Sequence, residues 1–208
     1  MSDSSDPSES GGATGSTDPT SGKPRRKPRG ITITRRQGIA IGVAAVFLVF
    51  AGMTARLFVW PDLPPLPDRA DAIVQLGGPG DRRALTLELV RQGRAPIAAI
   101  SVDDQEAGTT WCRRGSLDGV PVVCFHPDPS NTRGEARFLA ELARQQGWRS
   151  VILVTSPDQA WRANVRVGRC YDGAVAVATT PLPAGRWPQQ IVHQWVATAK
   201  AFTYELGC

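Results

Sequence analysis

The chain predicts a three-layer α/β domain with a mainly parallel sheet, preceded by one N-terminal transmembrane helix. Three observations predict it. Short, continuous apolar runs at residues 71–76, 96–102, 120–125, 151–155 and 174–178 read as strands buried on both faces, because a half-exposed strand alternates polar and apolar positions. Helical patterns at 82–92, 132–146 and 159–170 fall between several of these runs, and strand–helix alternation gives a parallel sheet covered on both sides. Residues 38–60 carry no charge until Arg56. At about 1.5 Å of helical rise per residue this stretch can cross a hydrocarbon core of about 30 Å.

Taken in order, residues 1–37 form a tail. Its first 22 positions hold four acids and no base, and positions 23–36 hold seven bases and no acid. The serine-, glycine- and proline-rich start lacks the apolar content to offset ordering entropy and predicts disorder. The basic run before the span predicts a cytoplasmic N-terminus. Arg56 lies where its side chain can reach the far interface, and Trp60 suits the interfacial belt. A cleaved signal is the rival reading, yet the span is long for one and Met53-Thr54-Ala55 is a poor cleavage site. Residues 61–68, PDLPPLPD, predict a stiff spacer that lifts the domain off the membrane. Residues 69–208 form the α/β domain.

From residue 61 onward there are 16 Lys or Arg against 15 Asp or Glu, a net of +1. The sequence pI of about 9.4 therefore reflects one short basic segment, and nucleic-acid binding by the folded part loses its main support. The four cysteines, Cys112, Cys124, Cys170 and Cys208, all follow the span. An even count on an oxidising side predicts two disulfides. Three pairings exist on paper. The preferred set joins Cys112 to Cys124 across a short polar loop and Cys170 to Cys208 at the end of the chain. No CxxC spacing or histidine pair favours metal binding instead. A last amphipathic helix, about 188–206, repeats Ile191, Trp195, Ala199, Phe202 and Leu206 on one face, the face predicted to pack.

Candidate chemistry gathers where strands end. The run 151–163, VILVTSPDQAWRA, stops as a strand at Thr155-Ser156 and restarts as a helix carrying Gln159 and Arg162. Hydroxyls, free backbone N–H groups and an arginine at such a junction make an anion site. The turn 128–135, DPSNTRGE, repeats the arrangement with Asn131, Thr132 and Arg133. Thr132-x-x-Glu135 also fits a capping box, in which Glu135 serves its own helix. The first strand runs into Gly77-Gly78, followed by Arg82; the glycines permit close approach of a ligand and the arginine can meet an anion. The same glycines serve strand–helix geometry equally well. Asp103, Asp104, Glu106 and Asp128 are the carboxylates that suit a hard divalent cation; otherwise no cofactor is expected. His126 and Asp128 lie close enough in sequence to reach the same cleft, and Trp161 can face a sugar or prenyl group. No nucleophile elbow, phosphate-binding Walker loop or zinc-protease motif is present.

The blocks Leu76-Gly77-Gly78, Asn131-Thr132-Arg133-Gly134-Glu135-Ala136, and Val154-Thr155-Ser156-Pro157 with Arg162-Ala163 resemble, in order and spacing, the motif blocks of the DUF218 (YdcF-like) family. The resemblance covers roughly residues 71–178. It implies a Rossmann-like domain, often anchored at the bacterial envelope, with links to peptidoglycan and lipid-carrier homeostasis. Departures matter for mechanism. Many members carry histidine where this chain has Gln159, and an amide is no general acid or base, although it can hydrogen-bond a phosphate. Gly134-Glu135 stands where other members have Glu-Asn, and Val102-Asp103 replaces a glycine pair.

The expected function is an extracytoplasmic, membrane-anchored protein binding a phosphate- or pyrophosphate-bearing envelope ligand, lipid-linked in one form. If catalytic, it acts as a hydrolase or transferase at phosphorus, with Glu135 or Asp128 as base. The alternative is a non-catalytic sensor or scaffold contacting envelope proteins.

Overall fold

The computed structural model describes residues 34–78, 80–102 and 110–208. The expected disordered start of the tail, and Asp103, Asp104 and Glu106 of the cation reading, lie outside them.

An apolar helix, α1 (Arg35–Thr54), continues into a π-helical turn at Ala55–Val59. The helix of 25 residues, Arg35–Val59, is long and apolar enough to cross a membrane. Then follow β1 (Ala72–Gln75), α2 (Arg82–Arg91), β2 (Ala98–Ser101), α3 (Thr110–Arg114), β3 (Ser116–Leu117), β4 (Val120–Phe125), α4 (Thr132–Gln146), β5 (Ser150–Thr155), α5 (Pro157–Gly168), β6 (Ala174–Thr179) and α6 (Trp187–Thr203). A short 3-10 turn, Ala184–Arg186, leads into α6.

Six strands form one sheet in the order β3-β4-β2-β1-β5-β6. Every pairing is parallel except β3 with β4. From β1 at the centre the chain builds outward through β2 and β4, then crosses back to lay β5 on the other edge of β1. The five expected strands are thus present and mainly parallel. The extra strand and α3 were not anticipated. Yet β3 has a local cause: Asp118 (φ 50°) and Gly119 (φ 84°) are both left-handed, and Leu117 pairs with Val120 across that two-residue turn. Asp-Gly favours this hairpin geometry because glycine, and to a lesser degree aspartate, tolerates positive φ.

Period-two alternation along the strands divides the core between the two faces. Ala72, Val74, Val151 and Leu153 point to one side and meet Ala136, Leu139 and Ala143 of α4 with Ala160, Ala163 and Val167 of α5. Ile73, Ile152 and Val154 point to the other and meet Leu89 and Val90 of α2. Truncating a fully buried residue such as Leu139 or Leu153 to alanine costs about 2–5 kcal/mol, because the cavity left behind collapses only in part.

Two expectations change. Residues 61–67 form neither helix nor strand, but Leu63 and Leu66 pack against the two core clusters. The proline-rich segment is laid along the domain and does not stand off from it, since burying two leucines outweighs extending into water. The last helix ends at Thr203, and the residues it buries are Gln194, Thr198 and Ala201. Ile191 and Trp195 are half-buried, and Ala199, Phe202 and Leu206 are exposed. Trp195 turns toward α1, where its ring stacks on Phe50 (5.0 Å) and meets Phe58 edge-on (5.3 Å), and its Nε1 donates to Thr54 Oγ1.

Both preferred cysteine pairings are found: Cys112 with Cys124 and Cys170 with Cys208. The first links α3 to β4. The second ties residues 204–208 back onto the end of α5.

Candidate functional site

The carboxyl ends of β1, β2, β4 and β5 share one edge of the sheet, where ligands of open α/β sheets bind. A cavity of about 450 Å³ opens there. Its floor is the Gly77-Gly78 loop with Ser101 and Val102. One wall is the turn before α4 with Thr132, Arg133 and Glu135. The other is α5, through Gln159, Arg162 and Arg166, and α6 closes it with Gln190, His193, Gln194, Ala197 and Lys200.

The start of α4 is built by Asn131. Its extended backbone (φ −163°, ψ 177°) caps the helix, and its Oδ1 accepts from the N–H groups of Arg133 (2.8 Å) and Gly134 (3.3 Å). Gly134 permits the preceding turn, which contains the cis bond Asp128–Pro129, to press on the first helical turn. A Cβ at 134 would overlap the Pro129 carbonyl oxygen and the Asp128 backbone.

This geometry corrects the capping-box reading. Asn131, not Thr132, is the cap, and Glu135 does not serve its own helix. Its Oε1 instead accepts from Gly77 N–H across the cavity floor (2.5 Å), and the Ser101 hydroxyl bonds the same carboxyl. Burial pushes the Glu135 carboxyl above the usual carboxylate range. The Gly77 N–H, the Ser101 hydroxyl and the Arg82 and Arg162 guanidiniums pull against that rise without cancelling it.

Gln159 is the junction of a buried polar network. Its Oε1 accepts from Arg82 Nη2 (2.9 Å) and Thr155 Oγ1 (3.2 Å), while its Nε2 donates to Thr132 Oγ1 (2.8 Å). Arg82, 2% exposed, also donates to Ser156 Oγ (3.0 Å) and to the carbonyls of Leu76 (2.8 Å) and Gly77. These bonds bind the β1 loop, the start of α4 and the start of α5 into one unit.

Arg162 donates from Nη1 to Thr132 Oγ1 (3.0 Å) and from Nε to Gln194 Oε1 (2.9 Å). Gln194 in turn donates to Asp158 Oδ2 (2.9 Å). Among the described residues Arg162 Nη2 makes no hydrogen bond, which leaves a donor for an anion in the cavity. Burial pulls the Arg162 pKa below its ordinary value, with nearby Glu135 opposing; a guanidinium stays protonated regardless. Arg166, one turn further along α5, is paired with the Glu205 carboxylate and donates to the Glu205 carbonyl (2.8 Å). Its Nε, like Asp158 Oδ1, is buried without a hydrogen-bond partner among the described residues.

Of the residues singled out from the sequence, Gly77, Gly78, Asn131, Thr132, Arg133, Glu135, Gln159 and Arg162 come together on the cavity wall. Others do not. Thr155 and Ser156 are fully buried behind it, bonded to Gln159 and Arg82. Arg82 lines a separate recess beneath the glycine loop. Asp128 and His126 are exposed, and neither lines the cavity. Trp161 stacks on Phe202 (5.8 Å) away from the cavity. Arg133 reaches the wall, but its Nε and Nη2 donate to the Cys208 carbonyl (3.2 and 3.0 Å).

Sequence reasoning missed Arg166, Gln194, His193, Lys200 and Glu205. Arg166 was within reach, since i and i+4 share a helix face with Arg162. The α6 residues were not, because their apolar neighbours suggested a different packed face. Among the described residues no group of three or more His, Cys, Asp or Glu is placed to hold a metal ion.

Chemically, the cavity offers three guanidiniums, one ammonium, a helix N-terminus, the buried Glu135 carboxyl, whose pKa burial raises, and the Glu205 carboxylate paired with Arg166. No family model, curated protein or solved structure matches the chain.

Proposed function

We propose that the chain is a membrane-anchored, envelope-facing protein of the DUF218 (YdcF-like) kind, with a Rossmann-like domain whose cavity holds a phosphate- or pyrophosphate-bearing ligand. The observation that carries this reading is the convergence of Arg133, Arg162, Arg166 and Lys200 with the N-terminus of α4 on one cavity at the carboxyl edge of the sheet. The apolar helix after Arg35 and Arg36, followed by two disulfides, supports an N-in anchor with the domain outside the cytoplasm. A lipid-linked diphosphate is the ligand form that combines this address with this charge.

If the site is catalytic at phosphorus, Glu135 carries the proton. Burial raises its carboxyl above the ordinary carboxylate range, the direction that suits a proton-transfer group. Gln159 supplies no proton.

A second reading, a non-catalytic sensor or scaffold contacting envelope proteins, is favoured by one observation. The cation partners are already engaged from within the chain, Arg166 by Glu205 and Arg133 by the Cys208 carbonyl. Such contacts fit a site that a ligand opens without chemistry.

The test is ligand-induced stabilisation of the full chain in detergent with phosphate, pyrophosphate and a short-chain polyprenyl diphosphate. A ligand at 100 times its dissociation constant adds about 2.7 kcal/mol. Diphosphates shift the wild type, and the shift is lost in Arg162→Ala and reduced in Lys200→Ala, whose side chain is exposed. No shift with any anion overturns the proposal. A shift without turnover selects the sensor.

A further inference from the structure

We infer that α6 is an interfacial helix whose outward face, Val192 and Val196, lies in the boundary between headgroups and acyl chains of the bilayer that α1 enters. The inference rests on reading α1 as a membrane span and is independent of what the cavity binds.

Lengths decide it. Arg36 marks one end of the uncharged stretch, and Arg56, paired with Asp62 at 2.5 Å, marks the other. Residues 37–55 between them reach about 29 Å at 1.5 Å per residue, close to the ~30 Å hydrocarbon thickness. Residues 37–50 are all exposed, with Phe50 the first to touch the domain, and they supply only about 21 Å of that. From Ala51 onward one face is covered: Thr54 and Phe58 are buried and Ala51, Ala55, Leu57 and Val59 are half-buried, while Gly52, Met53 and Arg56 stay exposed, and Trp195 of α6 lies against Phe50, Thr54 and Phe58. The remaining ~8 Å of hydrocarbon depth therefore coincides with the level of α6, within the ~5–10 Å that interfacial helices enter. Trp195 has the ring type that favours this zone.

The side chains agree with the level. Val192 and Val196, one turn apart, are 66% and 58% exposed, opposite the buried Gln194, Thr198 and Ala201. The seventeen residues of α6 contain no acid, while Arg186 precedes it and Lys200 lies in its last turn. That charge suits an anionic lipid surface. Val196 also lines the cavity. The mouth thus opens at membrane level, and an amphiphile can reach it along the bilayer without leaving for water.

Single added cysteines test this in the full-length chain, because all four native cysteines are in disulfides and only the added thiol takes a nitroxide under non-reducing conditions. Val192→Cys and Val196→Cys probe α6, Val46→Cys probes the middle of α1, and Arg144→Cys probes exposed α4. The proteins are placed in vesicles of phosphatidylethanolamine and phosphatidylglycerol. Collision rates of the label with oxygen and with a water-soluble nickel chelate are then compared. A several-fold higher oxygen-to-nickel ratio at 192 and 196 than at 144 is expected. Ratios at 192 and 196 equal to that at 144, with 46 membrane-like, overturn the inference alone. A water-like ratio at 46 overturns the anchor reading and this inference with it. Diphosphate binding is scored separately, so neither result depends on the cavity's ligand.

Discussion

Replacing Gln159 with leucine should destabilise the protein by about 4 kcal/mol without opening a cavity, because leucine fills nearly the same volume. The amide accepts a charge-assisted bond from Arg82 Nη2, and such bonds contribute about 1.5–3 kcal/mol. Its loss leaves Thr155 Oγ1, fully buried, without its acceptor, at a cost of about 1–3 kcal/mol. Two partners limit the damage: Arg82 keeps Ser156 Oγ, and Thr132 Oγ1 keeps Arg162. For a chain of about this size each kcal/mol moves the melting temperature by about 2–4 °C, so the variant should melt about 12 °C lower. Thermal unfolding of the full chain in detergent, followed by tryptophan fluorescence, reads this directly. Gln159→Glu gives up the Nε2 donation to Thr132 but keeps an acceptor oxygen for Arg82 and Thr155 and faces Arg82 with a charge, so it should lose much less. A leucine variant melting within about 2 °C of wild type would falsify the claim that this amide ties the three loops together.

Glu135→Gln resembles the protonated acid, so it should match wild type in acid. Because the folded-state pKa of Glu135 is raised, its stabilising contribution is complete below the ordinary value of 4.5 and is lost as pH rises through the raised value. Melting curves across that range should show wild type falling relative to the variant, and parallel curves would contradict the assignment. Gly134→Ala should lower stability by about 1–3 kcal/mol or displace the Asp128–Pro129 turn, since the new Cβ meets backbone that cannot yield cheaply; denaturant midpoints measure the loss. Removing the Cys170–Cys208 bridge, which closes 38 residues, should cost about 4 kcal/mol, and removing Cys112–Cys124, which closes 12, about 3 kcal/mol. The two cysteine-to-serine pairs, melted side by side, check that order.

Local and periodic features were legible in the chain. Apolar runs with no polar alternation predict strands covered on both faces, and the parallel sheet follows because helices stand between them. The uncharged stretch after Arg35 and Arg36 announces a helix of spanning length. Gly147, left-handed at φ 70° just after α4, and Pro157 in the first turn of α5 delimit these helices through φ/ψ preferences that need no partner. The Asp118-Gly119 hairpin was legible by the same logic, although β3 was not anticipated.

What only the tertiary structure decided is which side chains meet. Glu135 satisfies a local capping pattern, yet a competing N–H from Gly77, 58 residues away, takes its oxygen because Asn131 already caps the helix. Arg82, Thr155 and Ser156 read as ligand contacts, but a guanidinium and hydroxyls buried together bond one another and leave the wall to Gln159 and Arg162. The packed face of α6 shifted for a related reason. Its apolar stripe predicted packing, whereas Gln194 found buried partners in Arg162 and Asp158, Ile191 and Trp195 are only half-buried, and Ala199, Phe202 and Leu206 were left exposed. Periodicity is encoded residue by residue, so sequence alone determined the five parallel strands, the long helices between them and the apolar helix of spanning length. Burial of polar groups is settled by partners from distant elements, so only the folded chain could determine the site.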